Sequence, residues 1–355
     1  MSYQWHLHAG ELFGERYIQM IGAGLPVADV DAVRAAVTDM WPDAPGGWVR
    51  EWSDLAASYA AAGSHHQAAL AYGWAKFPAL ADQAKRAASR QQLEQYLLAA
   101  SGFGVDFGRD VLALPYQGGV TDVPVHTFAA PGLPADAPVV IASGGVDTWK
   151  MDVHGVLVGL ATHLQARIVA FDIPGTGESS VPMTADGGAE IIRGVIGHAR
   201  KLGNGVVVHL GISMGGHFSA RSGLAGEVDA AVVLGGPVEE TFTRGGLGRF
   251  GMAGIVGNAL GFAQEPDPDE LSARLETFSL RPLLDEDRNV PMLVINGADD
   301  VHVPQHDTLV FEGRRDTAVH LLPDTGHCAV SKLADVVPMM LGWVSHQLAA
   351  SASTI

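Results

Sequence analysis

The apolar positions change their spacing near residue 110, and the change separates two kinds of structure. From about Val30 to Ala100 they recur at helical spacing, at Ala35, Ala36, Trp48, Trp52, Leu55, Ala56, Tyr59, Ala68, Tyr72 and Ala75. Breaks fall at Pro42, Pro45-Gly46-Gly47, Gly63 and Pro78. No strand-like alternation interrupts them, which predicts a helical N-terminal module over residues 1–108. Beyond Val111, short β-branched runs alternate with helical stretches. Residues 111–115 and 123–128 read as an antiparallel pair; 139–142, 168–171, 206–210, 230–234, 292–295 and 319–322 read as strands of a mostly parallel sheet. Helical patterns at 153–164, 189–202, 216–224 and 329–349 supply crossovers and a closing helix. The stretch 236–289 breaks the alternation and is expected to be a helical lid inserted after the sixth strand. The core is then 109–235 with 290–355.

Composition narrows the possible partners. A net charge of −17, spread along 355 residues, favours solubility and argues against nucleic acid or an anionic membrane as the main partner. The start lacks a basic region followed by an apolar run, so no signal peptide is expected. The apolar stretch 247–262 contains five glycines and is shorter than a bilayer span, so a mobile cap helix is the expectation there. Cys328 is the only cysteine, which excludes an intrachain disulfide and makes a reducing cytoplasm the expected location. No cluster has metal-ligand spacing, and no GxGxxG or P-loop opens a helix after a strand, so the expectation is no metal and no cofactor.

The chemistry concentrates at predicted strand ends. Gly211-Ile212-Ser213-Met214-Gly215 follows one apolar run and opens a helical stretch. A serine between two glycines at such a turn forms a nucleophile elbow, which lifts the hydroxyl clear of the sheet. In so glycine-rich a chain composition alone gives roughly 0.3 such matches, so context must decide. Downstream, the run 291–295 empties into Asn296-Gly297-Ala298-Asp299-Asp300-Val301-His302-Val303-Pro304. Asp300 stands at the acid position, with Asp299 as the alternative. His327 follows the last strand, where it can reach both Ser213 and Asp300; His209 and His217 read as structural, and His302 stands too close to the acid loop to serve as the base. The order Ser, Asp, His is the one a triad takes on an α/β-hydrolase sheet. Oxyanion donors are expected from the backbone N–H of Met214 and of Val146, with Gly145 close behind, in Ser143-Gly144-Gly145-Val146-Asp147. Asp172-Ile173-Pro174-Gly175-Thr176-Gly177-Glu178-Ser179 reads as a structural turn near the pocket.

Taken together, the Trp48/Trp52 module, Gly144-Gly145-Val146-Asp147-Thr148-Trp149-Lys150, Phe171 to Glu178, the Ser213 elbow, the Asp300 loop and His327 resemble one α/β-hydrolase group. It comprises the FrsA-like hydrolases, 2,6-dihydroxypseudooxynicotine hydrolase and fungal polyketide-shortening pigment hydrolases. The resemblance implies an eight-stranded hydrolase sheet whose N-terminal helices join the lid in covering the active site. It allows a homodimer. It also implies hydrolysis of a carbon–carbon bond beside a ketone, in a β-diketone or related small acyl compound. Asp147 occupies the position of an acidic residue that binds or polarises substrate in the nicotine-pathway relative; a helix N-cap accounts for it equally well. The same three residues also suit a carboxylesterase or thioesterase, or an acyltransferase or cyclase. A non-enzymatic binding protein is disfavoured because no triad member is missing, and a dehalogenase because the nucleophile position holds serine.

Overall fold

The computed structural model describes residues 2–244, 247 and 249–352. Gly245, Gly246 and Gly248, which belong to the expected lid and its apolar stretch, lie outside the described residues. The chain forms two compact units. One comprises Met1–Gly104, Met151–Gly155 and Gly248–Pro266; the other comprises Val105–Lys150, Val156–Leu247 and Asp267–Ile355.

The first unit is helical. Its N-terminal helices span Ala9–Gly22, Val27–Ala36, Trp48–Ala61, His65–Lys76 and Gln83–Ala99. The first of these precedes the point where sequence periodicity becomes evident, yet it buries Leu12, Phe13 and Met20. Trp48 and Trp52, one turn apart, place their rings 4.6 and 6.1 Å from Phe13, and the Trp48 indole N–H donates to the Trp74 carbonyl at 2.6 Å. Burying aromatic rings with the polar N–H satisfied gives the module a core of its own. The helix Met252–Ala259, from the insertion, belongs to this unit. Asn258 accepts from the Tyr3 amide at 3.1 Å and donates to the Tyr3 carbonyl at 3.0 Å.

The second unit is built on one sheet with strands β1 (Asp106–Tyr116), β2 (Gly119–Ala129), β3 (Val139–Ser143), β4 (Arg167–Phe171), β5 (Val207–Ile212), β6 (Ala230–Leu234), β7 (Met292–Gly297) and β8 (Thr317–Leu322). The order across the sheet is β1-β2-β4-β3-β5-β6-β7-β8. β1, β2 and β4 pair antiparallel, and β4 through β8 are parallel. Every predicted strand is present. β3, β6 and β7 are buried along their whole length, as parallel strands covered on both faces must be. The opening hairpin is longer than predicted: β1 begins at Asp106 and β2 at Gly119, and residues 106–110 and 119–122 are mostly exposed or half-buried and carry little apolar signal. Its turn, Gln117-Gly118, has φ of 48° and 78°, the two positive values that a two-residue hairpin turn requires.

Flanking helices include His154–His163, Ala185–Leu202, Met214–Leu224 and Leu333–Ala352. The last begins later than its apolar pattern suggests. Cys328 and Ala329 lie in the left-handed region at φ 55° and 49°, and the Cys328 amide donates to the Asn296 side chain at 3.0 Å. By length and composition His327–Ser351 is apolar enough to cross a membrane, alone among the described residues. Val336, Met340, Val344 and Leu348, four residues apart, are buried, the stripe of a helix seated on a core.

Candidate active site

The central strands deliver their C-terminal ends to one edge of the sheet, and the predicted reactive side chains gather there. At the end of β5 the backbone reverses through Ser213, at φ 56° and ψ −123°. A non-glycine residue in such a conformation costs on the order of 1–3 kcal/mol, and only dense surroundings hold it there. The Ser213 amide donates to the Leu234 carbonyl at 2.8 Å, and its carbonyl accepts from Gly216 at 2.7 Å. The flanking glycines are obligatory. A Cβ at Gly211 would lie 2.0 Å from the Gly215 carbonyl oxygen, and one at Gly215 would lie 2.5 Å from that of Gly144.

The structure brings His327 and Asp300 to this serine. His327 Nε2 is 2.9 Å from Ser213 Oγ, and its Nδ1 is 2.7 Å from Asp300 Oδ2. The carboxylate is fully engaged: Oδ2 also accepts from Asn296 Nδ2 at 2.8 Å, and Oδ1 accepts the amides of His302 at 2.8 Å and Val303 at 3.1 Å. Burial alone would raise the Asp300 pKa, but His327 and these donors hold it below the ordinary carboxylate value. For His327 burial pulls downward, and the neighbouring Cys328 and Asp300 outweigh it, so the imidazole pKa stands well above 6.5. The net upward direction fits a side chain that stays 18% exposed beside a carboxylate.

Facing Ser213 is the turn after β3. Gly145 approaches so closely that a Cβ there would lie 2.9 Å from Ser213 Cβ. The Gly145 amide is already bonded to the Thr148 carbonyl at 2.8 Å. Met214 stands at the first position of its helix, where amides have no intrahelical acceptor. The end of the turn is fixed by Lys150. Its amide and Nζ bond the Asp172 carboxylate at 2.9 and 2.5 Å, and Nζ lies 2.7 Å from Glu178. Asp172-to-Glu178 thus holds the turn from beneath, as its structural reading implied.

A family model described as the alpha/beta hydrolase fold matches residues 137–243. Among solved structures, AbyA5 (wild type) aligns with a TM-score of 0.75 at 20% identity, over 95% of this chain and 98% of that one. The 2,6-dihydroxy-pseudo-oxynicotine hydrolase aligns with a TM-score of 0.75 at 19% identity, over 94% and 96%. A thermostable esterase from Pseudomonas putida ECU1011 gives 0.52 at 14%, over 74% and 89%. No curated protein matches in sequence. The chain has the α/β-hydrolase fold.

On this α/β-hydrolase sheet the remaining candidates separate cleanly. Asp299 is exposed, whereas its neighbour Asp300 turns inward. His209 and His217 are buried, and burial pushes each pKa down to about 3. His209 bonds Ser222 Oγ at 2.8 Å and His217 the Pro237 carbonyl at 3.2 Å, so both are packing residues. His302 reaches Asp300 through its amide, with its ring 5.5 Å from that of His327. Asp147 is buried in the turn after β3, with the Thr148 hydroxyl 3.2 Å from its Oδ1. The next helix begins only at His154, so Asp147 caps no helix. Sequence reasoning missed Asn296, whose Oδ1 accepts from Cys328 and whose Nδ2 donates to Asp300, tying the acid to the histidine loop. Its one signal is a polar side chain ending a run of apolar strand residues. Among the described residues, no three His, Cys, Asp or Glu side chains cluster as metal ligands.

Proposed function

We propose that this protein is a serine hydrolase that cleaves a hydrophobic carbonyl compound through an acyl-enzyme. The observation that carries the reading is the pair of contacts on one imidazole: Nε2 at 2.9 Å from Ser213 Oγ and Nδ1 at 2.7 Å from Asp300. With Nδ1–H donated to the carboxylate, Nε2 presents its lone pair to the serine hydroxyl. As Oγ attacks the substrate carbonyl carbon, its proton passes to Nε2, and the new imidazolium is stabilised by Asp300. The developing oxyanion is received by the amides of Met214 and Val146. Collapse expels the leaving group, protonated from His327; water then repeats the sequence on the acyl-enzyme and frees the acid. Losing one oxyanion donor typically lowers kcat by about 10²–10³.

For the bond cleaved, the reading we favour is a carbon–carbon bond next to a ketone, with ester or thioester hydrolysis as the alternative. Its support is Asp147, a buried acid adjoining the Val146 amide, together with a structural neighbour named as a hydrolase of 2,6-dihydroxy-pseudo-oxynicotine. A carbon leaving group departs as an enolate and needs a proton and polarisation, whereas an alkoxide or thiolate leaves more readily. The experiment is covalent trapping. A fluorophosphonate should add one phosphonyl group to Ser213, located by mass spectrometry, and Ser213→Ala should abolish both label and turnover. Full activity of that variant ends the reading. Trapping on Ser213 with simple esters and with 1,3-diketones then distinguishes the two bonds.

A further inference from the structure

We infer that the pair formed by the buried Lys76 and the half-buried Asp152 positions the oxyanion turn, which makes Lys76, Gln92 and Asp152 positioning residues for catalysis. This rests on the serine-hydrolase reading above. The turn 144–150 has no regular secondary structure and must hold the Val146 amide against Ser213. Its own bonds include the Gly145 amide to Thr148, the Thr148 hydroxyl to Asp147, the Trp149 indole N–H to the Val146 carbonyl at 3.1 Å, and the Lys150 anchor on Asp172. At the next residue the chain leaves the sheet unit, and Met151–Gly155 belongs to the helical unit.

That short segment is gripped there by unusually polar contacts for a helical core. Asp152 Oδ2 accepts from Lys76 Nζ at 2.5 Å and Oδ1 from Gln92 Nε2 at 2.7 Å. Lys76 ends one helix and Gln92 lies on another, so Asp152 is set by both. The Lys76 side chain is 1% exposed. Gly73 leaves space for the arrangement, since a Cβ there would lie 2.9 Å from Asp152 Oδ1 and 2.7 Å from Gln92 Nε2. Two residues further on, His154 Nδ1 lies 2.8 Å from the Tyr96 hydroxyl. Between Lys150 on Asp172 and Asp152 on Lys76 stands one residue, with consecutive Cα atoms about 3.8 Å apart, which leaves almost no slack. A buried ion pair is poor value for stability alone, because well-packed apolar residues do as well or better. Here it fixes one end of the segment that carries a catalytic amide, and misplacing such a group by about 1 Å costs ~10²-fold in rate.

The test compares Lys76→Met and Asp152→Asn with Lys85→Met. Lys85 is an equally buried lysine of the same helical unit, but it donates to the Phe77 carbonyl. Each variant is assayed for kcat and KM on an activated ester, for the rate of fluorophosphonate addition at Ser213, and for thermal midpoint. The expected result is a ~10²-fold loss of kcat and of labelling rate in Lys76→Met, with little change in KM, because the donors act mainly on the transition state. Asp152→Asn, which keeps the Gln92 contact, should lie between Lys76→Met and wild type and carries the test should Lys76→Met fail to fold. Lys85→Met should lose stability while keeping kcat. Wild-type kcat in folded Lys76→Met and Asp152→Asn, or an equal kcat loss in Lys85→Met, overturns the positioning role and leaves the serine-hydrolase reading standing. Failure of the wild-type enzyme to label at Ser213 instead removes that reading and this inference with it.

Discussion

Replacing Asp300 with asparagine exposes the proton logic of the site, because the two side chains differ by almost nothing in shape. Oδ1 accepts two backbone amides, from His302 and Val303, so the carbonyl oxygen of the new side chain must take that place. Its NH₂ then faces Asn296 Nδ2 and His327 Nδ1, both of which were donors. His327 relieves the clash by presenting Nδ1 as an acceptor, which puts the hydrogen on Nε2, facing Ser213. In that tautomer the imidazole cannot take the serine proton. Such a tautomer reversal lowers kcat by about 10⁴, equivalent to ~5.4 kcal/mol at 1.36 kcal/mol per decade. Asn296 has no easy remedy, since turning its amide would withdraw the acceptor used by the Cys328 amide. The assay is steady-state kinetics across pH with circular dichroism as a control for folding. The His327 pKa is raised, so wild-type kcat/KM should fall as the pH drops through a value above 6.5 and protonates the base. Removing the carboxylate charge lowers that pKa, so the remaining activity should lose its acid limb at lower pH. A folded Asp300→Asn enzyme within tenfold of wild type would refute the reasoning.

Further substitutions probe separate parts of the site. Gly145→Ala should lower kcat by about 10²-fold, because its methyl would crowd Ser213 and displace the turn; wild-type kcat with esters would show that the turn yields. Asn296→Leu should cost about 1–3 kcal/mol of stability in a denaturant titration by orphaning the Cys328 amide, and should also lower kcat. Asp147→Asn should slow carbon–carbon cleavage far more than ester cleavage, and equal effects in paired kinetic assays would remove the leaving-group role. Lys150→Met should destabilise the fold by about 3–5 kcal/mol in urea, since it leaves the buried Asp172 carboxylate without its cation, while Glu178 keeps Arg109. Burial opposes both charges of that pair, yet attraction and hydrogen bonds depress the Asp172 pKa and raise that of Lys150. The pair's contribution is therefore present above the ordinary carboxylate value of 3.8 and is lost on acidification through the depressed one. At the other end it is present below 10.5 and is lost as pH rises through the raised lysine value.

The sheet was legible because its central strands, β3, β6 and β7 above all, are buried on both faces and so read as apolar runs. The site was legible because glycine spacing and strand ends constrain where a serine, an acid and a histidine can meet. Two features escaped for opposite reasons. The helix Ala9–Gly22 carries charged and glycine positions between Leu12, Phe13 and Met20, which dilutes its period. The first residues of β1 and of β2, 106–110 and 119–122, are mostly exposed or half-buried, so their alternation has few apolar positions to report. The choice between Asp299 and Asp300 also needed coordinates. Adjacent residues in a turn point in different directions, and only the amides of His302 and Val303 identify the carboxylate that faces inward.

What composition and spacing hide most completely is the partner of a buried polar group. Lys76, Gln92, Lys150 and Asn296 are each ordinary letters in a sequence, and all four are of types that usually sit on surfaces. In the structure all four are buried, and each bonds a carboxylate: Asp152 for the first two, Asp172 and Asp300 for the others. Asp172 bonds the end of the turn after β3, and Asp300 lies on the loop after β7, both at the candidate site. A loop cannot be fixed by hydrophobic burial alone, since its backbone groups need partners, and a charged side chain locked into a packed interior supplies direction as well as attraction. The fold's apolar pattern therefore announces where the loops of the candidate site begin, while the means of holding them still is written in polar residues whose role appears only once both ends of each bond are known.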